Sequence, residues 1–456
     1  MSTNKNVMKS IDMAPWDALL AETLPAGCAA VEVYATESES FSVGLLDGTI
    51  DSYKTNRFSG IGLRADCGQI GTASSEYPAQ EPHALLQSAI ESASVVEDED
   101  AEFQRFYSGS DHYATLPDID PRLFAMQAEE KIAACRELES MALAADARIV
   151  RLQDCQLATI NNRASLRNSL GLRVDQKHGF ASAAVSPIVE WKGEVKNGTG
   201  YDTALCVEAL DFEKIVRDAL ENVLAQLGAE AIPSGRYGVI FENRAMISLL
   251  SAFWSIFSAE SAQKGMSLLV GKEGQRIAST AVQLVDDAMH PASLFPSVSD
   301  GEGVATNRTA IIQNGELQTL LHNRKTAAKA GVSTTGNAAR SGLGGVLGVA
   351  PNNLVFQESE MPVETLQRQM HNGLYITNVS GLHAGANPVS GSFSLLSRGF
   401  LIENGERVRP VDQITISGNF YELLRAVNGV ANDLDFAAGV IAAPSVWIDE
   451  LAVGGK

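Results

Sequence analysis

Ser255, Ser258, Glu260, Ser261 and Lys264 crowd into one short stretch, AFWSIFSAESAQKG (252–265). Ser261 and Lys264 are three residues apart, a spacing that on a helix sets a hydroxyl beside an amine and could make a nucleophile and its base. The neighbouring residues argue otherwise. Met246, Leu249, Leu250, Phe253, Trp254 and Phe257 recur at i, i+3, i+4, i+7, i+8 and i+11. That apolar stripe is too wide for a surface helix. The stretch is therefore expected to be a core helix ending at Lys264-Gly265, with the lysine complementing the helix dipole.

Other chemistries lack their spacing. In GMSLLVGKEG (265–274) five residues separate Gly265 from Gly271 where a P-loop has four, and Glu273 follows Lys272. SGLGGVLGVAPNN (341–353) is glycine-rich without G-x-G-x-x-G. It reads as a mobile loop or as a place where another backbone passes close. There is no G-x-S-x-G elbow. The seven histidines (His83, His112, His178, His290, His322, His371, His383) form no H-x-x-x-H or H-E-x-x-H pair, so no self-contained zinc site is written here. His371, just before Gly373, reads as a helix-end cap, and His322, after a hairpin strand, as exposed. His383 lies in GLHAGANPVSGSFS, a loop dense in Gly, Asn and Ser, and is the histidine placed best to touch a ligand.

The elements that position these residues follow from periodicity. Residues 28–75 alternate apolar and polar, with turns at Asp47-Gly48 and Cys67-Gly68, as in an antiparallel meander. Helices are expected near Asp17–Leu24 and 82–95, and a long one after Asp120-Pro121, with Asp as N-cap and Pro at its first position. Ala128, Cys135 and Ala142 form its stripe. Residues 148–208 are strand-like again, and Asp211–Leu227 is helical with Phe212, Ile215, Val216, Ala219 and Val223 inward. Beyond 230, two Asn-Gly turns, in IIQNGELQTLL and LIENGERVRP, are strong hairpin signals. Helices near 323–330, 363–372 and 420–427 interrupt the strands. The fold class is α+β: N-terminal antiparallel meander-plus-helix units, 1–118 and 119–230, followed by a β-rich C-terminal domain with a few helices, 231–456.

A net charge of −20 repels phosphate backbones, which excludes nucleic acid as a partner. The five cysteines are odd in number and lack a C-x-x-C pair, so they are expected to stay reduced in a cytoplasm. The N-terminus has no apolar run of signal-peptide length, and FAAGVIAAP is too short to span a bilayer.

Several blocks in the second half carry a resemblance. QKGMSLLVGKEGQRIAS (263–279), SDGEGVATNRTAIIQNGELQTLLHNRKTAAKAGVSTTGNA (299–338), GANPVSGSFSLLSRGFLIENGE (385–406), QITISGNFYELLRAVNGVANDL (413–434) and PSVWIDELAVGGK (444–456) occur in that order. Together they resemble the TldD/PmbA family, once labelled modulators of DNA gyrase and grouped with metallopeptidases. The likeness extends more loosely over the first half, including EVYATESESFSVGLLDGTIDSYKTN. It implies a two-subunit peptidase. The TldD-like subunit carries H-E-x-x-x-H on a helix leading into Lys-Gly, plus a cysteine ligand near the C-terminus. The PmbA-like (TldE) subunit lacks these and pairs with it around a cavity where unfolded peptides are held as added strands. Family substrates include peptide-antibiotic precursors and antitoxins.

Counting back from Lys264-Gly265, the motif falls on Leu250 to Ser255. Leu250 and Ser255 stand at the histidine positions and Ser251 at the general base, and no cysteine follows Cys206. None of these binds Zn²⁺ or generates hydroxide at neutral pH. The expectation is a chain without catalytic residues or a metal of its own, with zinc in a TldD-like partner and His383, Asn387, Ser390 and Ser392 at the peptide groove. This groove loop departs from the family, which often has an acidic residue after the glycine. The alternative is a self-standing homodimeric peptide-binding protein; unpaired strand edges would also let a homodimer form without the partner. A third reading, a hydrolase using Ser261, Lys264 or His383, requires turnover by the lone chain that resists chelators.

Overall fold

The computed structural model describes residues 11–77, 81–98, 100, 103, 105–345, 347–437 and 439–456. It is α+β, 24% helical and 40% strand. The first half runs α1 (Ala14–Ala21), β1 (Ala30–Leu46), β2 (Thr49–Asp66), β3 (Ile70–Glu76), α2 (Pro82–Ala93), α3 (Arg122–Ala125), α4 (Ala128–Ala144), β4 (Ile149–Asn168), β5 (Arg173–Trp191), β6 (Glu194–Asn197), β7 (Gly200–Ala204) and α5 (Phe212–Leu224). Two units of like order, helix, strands, helix, share one sheet of order β3-β2-β1-β4-β5-β6, with β7 also on β5. They join through β1 and β4, antiparallel from Glu32↔Asn168 to Gly44↔Gln156.

The alternation of β1 decides what covers each face, because successive side chains point to opposite sides. Val31 and Val33 pack with Leu19, Leu85 and Ala89 of α1 and α2. Phe41, Val43 and Leu45 pack with Cys135 and Leu138 of α4 and with Ile215 and Ala219 of α5. The other face, with Glu32 and Tyr34, turns to the second half. Asp47-Gly48 closes the first hairpin with φ of 51° and 76°, the left-handed pair a type I′ turn needs. Asp211 caps α5, accepting from Lys214 N at 2.8 Å.

Two expectations are corrected. Cys28 and Cys67 are joined as a disulfide. The register Ala30↔Asp66 brings the two residues that flank the hairpin's open end face to face, which their 39-residue separation concealed. Cys135, Cys155 and Cys206 are free and buried. Asp120-Pro121 starts only the one-turn α3, where Asp120 Oδ1 accepts from Arg122 N at 2.9 Å. The long helix begins at Ala128, where Gln127 and Glu130 form a reciprocal capping box.

The second half runs β8 (Gly235–Phe241), α6 (Asn243–Phe253), α7 (Ala259–Gln263), β9 (Leu284–Asp287), β10 (Arg308–Gln313), β11 (Glu316–Leu317), α8 (Arg324–Ala330), β12 (Ala338–Arg340), β13 (Leu347–Val349), β14 (Leu354–Phe356), α9 (Val363–Met370), β15 (Gly373–Ser380), α10 (Leu382–Gly385), β16 (Ser392–Glu403), β17 (Glu406–Asn419), α11 (Phe420–Arg425), β18 (Val427–Val430), β19 (Ile441–Ala442) and β20 (Val446–Gly454). Strands β17-β16-β15-β8-β20 close into a barrel, because β17 pairs back onto β20, and β18 flanks β20. A second sheet, β11-β10-β9-β14-β19, shares one core with the barrel and α6. Both Asn-Gly hairpins are left-handed at each turn residue: Asn314 and Gly315 at 50° and 76°, Asn404 and Gly405 at 55° and 82°.

The glycine-rich segment passes close to another backbone. A Cβ on Gly62 would lie 1.7 Å from the Leu343 carbonyl oxygen, so residue 343 rests directly on β2 of the first half.

Candidate functional site

The helix that carries Leu250 and Ser251 is core. Met246, Leu249, Leu250, Phe253 and Phe257 are buried, Leu250 at 1% exposure, and Phe253 stacks on Phe420 with ring centres 4.6 Å apart. Ser251 is exposed and Ser255 half-buried. The expected continuous helix is broken. α6 ends at Phe253, residues 254–257 form a 3₁₀ turn, and Ser258 turns to extended backbone before α7. The break has a cause: Phe257 O accepts from Leu321 N at 2.8 Å, and Leu321 O accepts from Ala259 N at 2.9 Å. Ser258 then caps α7 by accepting from Ser261 N. Lys264 binds Glu260 at 2.6 Å rather than Ser261, so no hydroxyl–amine pair is assembled.

His383 lies on α10, and Asn387, Ser390 and Ser392 form the next turn; all four side chains are exposed. Asn387 Oδ1 accepts from Val389 N and Ser390 N, and Ser390 Oγ accepts from Ser392 N, so these groups shape their own loop. The Tyr421 hydroxyl donates to Pro388 O and accepts from Leu268 N, joining this loop to residues 266–270. His322, expected on the surface, is 5% exposed. The following loop folds over it: His322 O accepts from the Thr335 and Asn337 amides, and burial lowers the imidazole pKa. His371 is the C-cap of α9, at φ 64°.

Sequence reasoning missed the seam between the halves. A cavity of about 440 Å³ there is lined by Tyr34, Gln176, His178, Asp300, Arg340 and Asn352, among others. Arg340 Nη2 donates to Glu32 Oε1 and to Gly301 O, both at 2.7 Å, and its guanidinium lies over the Tyr34 ring. Arg64 Nη1 also reaches Glu32, at 3.2 Å. Burial favours a neutral Glu32, but the two arginines outweigh it and hold the carboxyl below its usual range. Burial pushes Asp300 up to about 6. Burial and then Asp300 push Glu302 up to about 7. Such carboxyls would suit proton transfer. Their oxygens are instead engaged by the backbone: Asp300 by Glu302 N, Val304 N and Ala338 N, and Glu302 by Arg324 N. The arrangement braces a loop against β12 and α8. The acidic pair in SDGEG was visible in the sequence; its burial was not.

Residues 31–93, 121–227 and 234–455 match, in order, domain 1, the central domain and the C-terminal domain of the PmbA/TldA metallopeptidases. The chain is 32% identical to a putative modulator of a DNA gyrase from Thermotoga maritima, with a TM-score of 0.87 over 93% of this chain and 96% of that one. It is 25% identical to metalloprotease PmbA of Escherichia coli O157:H7 over 75% of this chain and 73% of that protein. TldE of Thermococcus kodakarensis shares the fold, with a TM-score of 0.85 at 22% identity over 94% and 97% of the two chains. The chain belongs to the PmbA/TldD metallopeptidase family.

The family's metal does not fit this helix. At the positions that the resemblance gives to the motif, Leu250 offers hydrocarbon and sits inside the core, and serine hydroxyls at 251 and 255 are no substitute for carboxylate and imidazole. Among the described residues no group of three or more His, Cys, Asp or Glu is placed to hold a metal ion. No helix among them is long and apolar enough to cross a membrane.

Proposed function

We propose that this chain is the PmbA/TldE-like, zinc-ligand-free subunit of a TldD-type peptidase complex that cleaves unfolded peptides. The observation that carries the reading is the burial of Leu250 in the core, at the position that the resemblance gives to a zinc ligand. Zinc and the bond-breaking step belong to a TldD-like partner, and this chain shapes the cavity. Peptide maturation and antitoxin degradation are the corresponding cellular tasks, and the cytoplasm the compartment. A further feature supports peptide binding. Residues 173–180 of β5 pair with β4 on one side, and no described strand covers the other. This edge borders the seam cavity and a second one of about 740 Å³. An unpaired edge beside a cavity is what an added peptide strand requires. We assign the exposed turn with His383, Asn387, Ser390 and Ser392 to the rim.

Co-purification with a TldD-like protein tests the reading. A complex that digests an unfolded peptide and stops on chelation is expected, with neither metal nor turnover in the lone chain. Failure to associate at micromolar concentration would leave the homodimeric peptide-binding protein. Chelator-resistant cleavage by the lone chain would replace both.

A further inference from the structure

A separate cavity of about 420 Å³ lies between the central unit and the barrel, walled by β7, α5, the start of α6 and strands β15 to β17. Its charges fall into two groups. Arg244 is neutralised by Asp218 and Asp435, each at 3.5 Å, and lies over the Tyr201 ring. Lys196 and Asp412 satisfy each other at 3.1 Å.

Arg398 and Arg407 form no ion pair among the described residues. Arg398 Nη1 donates to Gln226 Oε1 at 2.9 Å. Arg407 lies 3.6 Å from the centre of the Tyr375 ring and 5.7 Å from that of Phe400, and its guanidinium meets the Gln367 side-chain amide. Glu242, at the N-cap of α6, does not cap its own helix and makes no ion pair among the described residues. Arg244 and Arg407 act on it only at a distance, and burial prevails, pushing its carboxyl up to about 7. The wall thus presents two guanidinium forks that form no direct ion pair, although Asp412 acts on Arg398 and Glu242 on Arg407 from a distance, and a Glu242 carboxyl that meets no donor among the described residues. Both arginines line the same cavity, and a guanidinium fork matches a carboxylate's two oxygens. An acceptor beside them matches the N–H that a C-terminal amino acid carries next to its carboxylate. The volume is within the range of small-ligand sites.

We propose that this cavity anchors the free α-carboxylate of a short peptide on Arg398 and Arg407, with Glu242 accepting from the adjoining peptide N–H. The peptide class rests on the peptidase-subunit reading; the carboxylate chemistry rests on the cavity alone. A ligand end held here is distinct from a strand added along β5.

Calorimetric titration of the purified full chain tests this without any partner, using tri-alanine, tri-alanine amide and inorganic phosphate. Binding of the free acid is expected, with the amide weaker by about tenfold or more. Arg407→Gln and Arg398→Gln should each weaken the acid by about tenfold, the first while leaving the melting temperature unchanged. Arg407 is exposed, so its variant tests the site without disturbing the core. Equal binding of acid and amide, or no binding of the acid at millimolar concentration, overturns the proposal. Complete displacement of the tripeptide by phosphate overturns it too, as a generic anion site. A chain that binds tri-alanine but associates with no TldD-like protein would remove the earlier reading and keep this one.

Discussion

Inside the barrel, Phe253 lies between Phe420 and Phe393 and meets other rings. At the seam, Arg340, Glu32 and Arg64 are buried almost as deeply and meet charge. Burial alone does not distinguish the two regions; what is buried does. The barrel core gains from removing carbon from water, which depends little on pH. At the seam, desolvation costs about as much as pairing returns, so its ions fix how the halves meet more than they stabilise the chain.

Three measurements would break or sharpen this contrast. Phe253→Ala should cost about 3–5 kcal/mol in a urea titration, by the same amount at acidic and at alkaline pH. A loss below about 1 kcal/mol would mean the ring is not packed as described. Arg340→Met should cost somewhat less, about 3 kcal/mol, because Glu32 keeps Arg64. Replacing Glu32, Arg64 and Arg340 together by apolar residues should recover much of that loss. If the triple variant is worse than the single one, the ions do add net stability. Glu302→Gln has the smallest effect and reports through pH. The native carboxyl, raised to about 7 from 4.5, holds its proton where the unfolded chain has released it. Wild-type stability therefore falls as pH rises from about 4.5 through about 7. The variant should lose most of that decline, with Asp300 still contributing in the same direction. An unchanged slope would mean that Glu302 titrates normally.

Local signals were legible in the sequence. The Asn-Gly hairpins, the Asp211 cap and the inward stripe of α6 are written in residues a few positions apart. The expectation for Leu250, Ser251 and Ser255 rested on the family resemblance and a count back from Lys264-Gly265. What could not be read depends on pairing at long range. The β1–β4 register merges two units into one sheet, the β1–β2 register joins Cys28 to Cys67, and Leu321 breaks a helix whose apolar periodicity runs on to Phe257. His322 and the Glu32–Arg64–Arg340 cluster escaped for the same reason: a charged or polar side chain is expected in water unless the partner that buries it is known.

The contact of Leu343 with Gly62 has a consequence for synthesis. A chain emerging N-terminus first can complete its seven-stranded sheet long before residue 343 exists. Until then the face that will receive the second half stands in water. Glu32 and Arg64 make that waiting face charged where a barrel-like core would have left it apolar, a contribution hidden once the second half closes over it.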